Sequence, residues 1–201
     1  MVALRLLEKA SEKLAPGRSP SFNKAHVLKA IEVISEEGVG RKQLALRLAL
    51  GEGMTRNLVS RLRDNGLLET SRQGMSLSCK GKQLLDELRQ TMRSGEFPES
   101  SLTVAKENYV VLVKGCSGGV RYGLEQRDYA LMAGAAGATT VIYDEKGLYM
   151  PGTEREIEPR IRDFILRELQ PEHGDVMIIG SAESLHMAEM GAKAAALKLL
   201  T

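Results

Sequence analysis

Apolar residues recur along the first part of this chain with a helical period, break off, and then change period. Residues 2–14 bring Leu4, Leu7 and Leu14 near one helical face, and Pro16 to Ser21 form a turn-rich break. Residues 22–37 place Val27, Ile31 and Ile34 on a core face. A short helix over Arg41 to Leu48 leads into a Gly51-Glu52-Gly53 turn. A helix over Thr55 to Asp64 then carries Leu58, Val59 and Leu62 on one face, with Arg56, Asn57, Ser60 and Arg63 on the others. Asn65-Gly66 stops it. The pattern shifts to two short β runs, Leu67 to Ser71 and Met75 to Cys79, hinged at Gln73-Gly74. Lys80-Gly81 opens a further helix to residue 93 through Leu84, Leu85 and Leu88. The order is helix, turn, helix, β-wing, helix.

The second half alternates strand and helix. Tyr109 to Lys114 reads as a strand, Leu124 to Ala136 as a helix, and Thr139 to Asp144 as a strand turned at Asp144-Glu145-Lys146-Gly147 into a partner at Leu148 to Met150. Ile157 to Leu169 reads as a helix, Val176 to Gly180 as a buried strand, and Ser184 to Leu200 as an Ala-rich helix. Ser94 to Ser101 combines Gly, Pro and Ser with a change of charge sign, which predicts a boundary there. The expected fold is α+β: a winged helix-turn-helix over 1–95, then a small α/β sandwich of about four strands over 101–201.

The chemistry of the first half follows from that order. Gly51 and Gly53 are expected to supply a sharp turn. The helix that buries Leu58, Val59 and Leu62 leaves its polar face for a major groove, where Arg56 and Asn57 supply donors and amides. Arg41 and Lys42 open the preceding helix, where phosphates are expected. Arg72 puts a cation beside the wing tip. The candidate DNA-binding set is Arg41, Lys42, Met54, Arg56, Asn57, Ser60, Arg63 and Arg72. Arg61, Lys80 and Lys82 add to the cluster of cations, Arg61 with its stem beside the core and its head expected at the surface.

The run RLRDNGLLE, followed by a hairpin and KG, resembles the winged helix-turn-helix of bacterial and archaeal transcription regulators. The second half, through GLEQRDYALMAGAAGATTVIYDEKGLYMPG and GDVMIIGSAES…AEMGAKAAALKLL, resembles an archaeal family in which such a module precedes a C-terminal domain of unassigned function. That resemblance implies a DNA-binding regulator and supplies no ligand.

Charge agrees with the division. Residues 1–95 hold 17 Lys+Arg against 10 Asp+Glu, a net of +7, and the remainder hold 11 against 16, a net of −5. A basic half joined to an acidic one fits a duplex-binding domain fused to one that avoids duplex. No apolar run approaches the roughly 20 residues of a bilayer span, and the start lacks a signal peptide's basic and apolar regions, so a cytoplasmic protein is expected. Cys79 and Cys116 have no CxxC spacing, and His26, His173 and His186 pair with nothing at ligand spacing. Neither a metal nor a cofactor is expected.

Candidate chemistry in the second half centres on two Gly-rich loops. Gly180 to Ser184 lies between a strand and a helix; Ser181 and Ser184 either join backbone N–H groups in holding an anion or simply cap the helix. Gly115 to Gly119, with Gly118, Arg121 and Arg127, either binds an anionic metabolite or is a loop with an ordinary ion pair. If the two strands before these loops are parallel neighbours, the loops share a pocket for an anionic effector. Ser181, His186 and Asp175 can be assembled into a triad on paper, but the strained nucleophile turn is missing, so no catalytic residue is assigned. The expectation is a homodimeric regulator of transcription on double-stranded DNA, not a membrane protein and not an enzyme, whose C-terminal half senses an effector or mediates dimerisation. The alternatives are an enzyme acting on a small anionic substrate and a winged-helix scaffold for protein contacts.

Overall fold

The computed structural model describes residues 2–12, 22–36 and 38–201. The chain divides into two units that meet between Gln90 and Thr91. In the first, α1 (Val2–Ser11) buries Ala3, Leu4, Leu7 and Ala10. The predicted Leu14 position and the Pro16 to Ser21 break lie outside the described residues. Helix α2 (Lys24–Ile34) starts at Asn23, whose side chain accepts from the N–H groups of Ala25 and His26 while His26 Nδ1 accepts from the Asn23 N–H. This reciprocal cap satisfies donors that a helix start leaves orphaned. The predicted core positions Val27, Ile31 and Ile34 are buried.

Helix α3 (Arg41–Arg47) and helix α4 (Glu52–Asp64) follow. The turn between them differs from the expectation. Gly51 has φ −64° and is the N-cap of α4, and Gly53 lies inside the helix, so neither glycine supplies the reversal. Ala49 supplies it at φ 49°, with Leu50 N–H donating to the Ala45 carbonyl at 3.0 Å. Helix α4 ends as predicted at Asn65-Gly66: Gly66 has φ 71°, and the Asn65 amide and Lys80 Nζ bond the carbonyls of Arg61 and Asn65. The wing is β1 (Leu68–Ser71) paired antiparallel with β2 (Gly74–Leu77), with Arg72 and Gln73 at its tip and Met75 bridged to Val39. Helix α5 (Cys79–Thr91) begins at Cys79 rather than after it. Gly81 is required there: a Cβ would sit 2.1 Å from the Leu67 carbonyl oxygen.

The second unit is a five-stranded sheet, ordered β3-β4-β7-β5-β6, with every neighbouring pair antiparallel. Its strands are β3 (Met92–Glu96), β4 (Glu107–Val113), β5 (Gly137–Asp144), β6 (Gly147–Tyr149) and β7 (Asp175–Ala182). Strand β3 falls partly in the segment expected to be a boundary. Its Met92-Arg93-Ser94-Gly95-Glu96 sequence lacks an apolar alternation because it is an edge strand, and charge on an edge discourages further pairing.

Helices α6 (Leu124–Met132) and α8 (Leu185–Leu199) pack together on one face of the sheet. On the other, α7 (Pro159–Phe164) and a π-helical turn (Ile165–Leu169) close a core of Val110, Leu112, Val141, Met177 and Ile179 with Ile161 and Ile165. Two glycines set the first layer. A Cβ on Gly180 would lie 2.4 Å from the Ala188 carbonyl oxygen, and one on Gly191 would lie 2.5 Å from Ala135 Cβ. Gly180 therefore belongs to the strand and serves the close approach of α8, not a loop.

Gly81→Ala and Gly180→Ala should each destabilise the unit that carries it by about 1–3 kcal/mol, since backbone must shift to admit the methyl. Gly95→Ala, with open space around its Cβ position, should stay within about 0.5 kcal/mol of the parent. Thermal melting of the three variants decides it, and equal midpoints would refute the packing account.

Candidate nucleic-acid interface

Helix α4 buries Thr55, Leu58, Val59, Arg61 and Leu62 and leaves Arg56, Asn57 and Arg63 exposed, with Met54 and Ser60 half-buried. Arg41 and Lys42 occupy the first turn of α3, both exposed. The structure brings them together with Arg56: Arg41, Lys42, Glu52 and Arg56 line one concavity of 110 Å³. Three cationic residues share that lining with one carboxylate. Such a group favours a phosphate, and Glu52 opposes it. Arg72 is exposed at the wing tip. Ser60 Oγ donates to Asp64 Oδ2 at 3.3 Å, and Arg63 lies 3.8 Å from Asp64.

Two cations of the sequence cluster serve the fold. Lys80, still exposed, donates from Nζ to the Asn65 carbonyl at 2.9 Å. Arg61 is 8% exposed and its head is inside, not at the surface as expected. Its Nε donates to Asn57 Oδ1 at 2.9 Å, its Nη1 donates to the carbonyls of Ala10 and Glu12, and its guanidinium lies 5.4 Å from the Phe22 ring centroid. Spacing alone concealed this, because position 61 falls at the margin between the apolar and polar faces of α4.

The expected effector pocket is not formed. Strands β4 and β7 are neighbours but antiparallel, with Val113 opposite Val176 and Glu107 opposite Ala182. The loop after β4 and the end of β7 therefore lie at opposite ends of the sheet. Gly118 is exposed in a 3-10 turn (Ser117–Gly119), and Arg121 lines a cleft of 230 Å³ with Gly119 and residues 122–126. Arg127 is exposed beside Asp128 at 3.3 Å. Ser181 is a buried strand residue at the far end. Ser184 is the N-cap of α8, accepting from the Met187 N–H at 3.4 Å. The capping reading stands for Ser184.

The paper triad is likewise dispersed. Asp175 and Ser181 sit six residues apart on one extended strand, roughly 20 Å at about 3.3 Å per residue. Asp175 is instead structural, its oxygens accepting from the N–H groups of Gly115 and Glu172, both at 2.9 Å. Burial and the Asp175 carboxylate push the Cys116 thiol up, the opposite of what a nucleophilic thiolate needs. Among the described residues no group of three His, Cys, Asp or Glu could hold a metal ion, and no helix is long and apolar enough to cross a membrane.

Comparison with known proteins follows the same division. No curated protein matches the chain. A solved structure described as a hypothetical protein from Pyrococcus horikoshii OT3 is 26% identical, with a TM-score of 0.72 over 89% of this chain and 93% of that one. Residues 104–199 match the model of a domain of unknown function, DUF4443. Residues 23–92, from the cap of α2 to the end of α5, match the model of the CggR N-terminal DNA binding domain. The N-terminal unit is thus similar in sequence to a DNA-binding domain, which suggests a regulator of transcription.

Proposed function

We propose that the chain is a cytoplasmic transcription regulator that binds double-stranded DNA as a homodimer, with residues 1–95 as the reading domain. Residues 101–201 serve dimerisation or the sensing of a small molecule. One observation carries the DNA reading: Arg41 and Lys42 at the head of α3 and Arg56 on the exposed face of α4 line one concavity, within the stretch that matches a DNA-binding model. In this reading the head of α3 meets the phosphate backbone, α4 enters the major groove, and Arg72 reaches the flanking backbone from the wing. The homodimer in this reading would place one recognition helix in each of two half-sites about 34 Å apart. The net of −5 on the second half keeps that half off the duplex and supports a separate role for it.

Lys42→Ala should weaken binding to specific and random duplexes alike and reduce the salt slope by about 1. Glu52→Gln should do the reverse, tightening both by removing the carboxylate from the cation cluster. Titrations of full-length protein across salt concentration read both, and a full-length protein without affinity for duplex at low salt would refute the reading.

Arg56→Ala should instead cost about 1–3 kcal/mol on the specific site and little on a scrambled duplex. Equal losses on both duplexes would place Arg56 on the backbone with Lys42.

A further inference from the structure

The amide of Asn57 is not free to choose its orientation. Arg61, one turn further along α4, points Nε at it from 2.9 Å, and a guanidinium has donors only, so the Asn57 oxygen faces inward. Arg61 cannot swing to release it: the residue is 8% exposed, and Nη1 is held by the carbonyls of Ala10 and Glu12 while Phe22 lies against the guanidinium. The exposed end of the Asn57 side chain is therefore its N–H2 group. The neighbouring Arg56 also offers donors alone, and the Ser60 hydroxyl is directed at Asp64.

We infer that Asn57 reads its base as a donor, selecting guanine, and that buried Arg61 is the positioning residue that sets this preference. The inference rests on the DNA reading above. An asparagine that pairs with adenine uses both ends of its amide, the oxygen taking the N6 amino group and the N–H2 giving to N7. The Asn57 oxygen keeps a second lone pair, but its bond to Arg61 turns it away from the exposed face, so adenine receives one bond there and its amino group faces a donor. Guanine presents N7 and O6 side by side, both acceptors, and cytosine presents a donor. The second turn of α4 thus presents the donors of Arg56 and Asn57, which favour acceptor-rich base edges.

Selection from randomised duplexes, with full-length proteins, tests this. The parent should show one position at which guanine exceeds adenine by roughly tenfold. Asn57→Ala should flatten that position and no other. Asn57→Asp keeps the bond to Arg61 and turns an acceptor outward, so the same position should move to cytosine at lower overall affinity. Arg61→Met, once melting shows it folded, should raise adenine at that position alone, whereas a merely structural Arg61 would lower affinity without changing base preference. Because Asn57 is exposed, its variants keep the test open if Arg61→Met fails to fold. Adenine preferred by the parent, or a preference unmoved by Asn57→Asp, overturns the inference and leaves the DNA reading intact. No duplex retained by the parent overturns both.

Discussion

A guanidinium carried into the interior of the N-terminal unit constrains what surrounds it. A desolvated cation costs several kcal/mol unless its donors are met. Among the described residues Arg61 gives Nε to the amide of Asn57 and Nη1 to the carbonyls of Ala10 and Glu12, with its guanidinium near the Phe22 ring. The Ala10 carbonyl belongs to the last turn of α1, and a cation there suits the negative end of the helix dipole. One side chain therefore fastens α1 to α4 and orients a residue on the exposed face of α4. Losing a partner would leave a largely desolvated donor unmet, so the first helix helps to hold the exposed face of α4 in place.

The second unit is governed by close approach rather than by a buried charge. Gly180 lets α8 lie almost on β7, and Gly191 lets α6 lie almost on α8. Backbone this close leaves no room between helix and strand at the end of β7, where a ligand loop was expected. At the other end Asp175 uses both oxygens on the backbone N–H groups of Gly115 and Glu172, which fixes the loop after β4. The polar groups that looked reactive in sequence are thus largely consumed in holding the sheet's ends. The layer also hides a charged pair: Lys193 and Glu189 are both buried, 2.6 Å apart, with Lys193 Nζ 5.6 Å from the Tyr109 ring centroid.

How legible each part was in the sequence depended on whether its cause is local. The helices around Val27, Ile31 and Leu58, the wing and its Gly-containing tip, and the stop at Asn65-Gly66 each follow from residues within a few positions, and they form where expected. The left-handed Ala49 was missed because alanine carries no signal for that conformation while the glycines beside it do. Strand β3 was missed because an edge strand needs no apolar face pattern. The sense of β4 against β7 is set by the connections and by which helix covers which face, a global property that no short window contains. The Ala-rich appearance of α8 hid Glu189 and Lys193, since their burial depends on Tyr109, some eighty residues earlier in the chain.

The cations of α3 and α4 were legible as helix positions and not as a mechanism. Arg41, Lys42 and Arg56 could be named from helix positions, and their convergence needed only the turn between α3 and α4. What the sequence could not separate was cations that face solvent from cations that serve the fold, because both kinds occur at helical spacing in one module. Arg61 belongs to the second kind, and Lys80 to both, since it stays exposed while bonding the Asn65 carbonyl. Removing Arg61 from the surface set does not weaken the electrostatic case, since the remaining cations still share the head of α3, the exposed face of α4 and the wing tip. It changes the chemical one. If α4 reads bases, an Asn57 amide whose oxygen is turned inward by a buried arginine meets them with its N–H2 group, and that group discriminates by the acceptors they present.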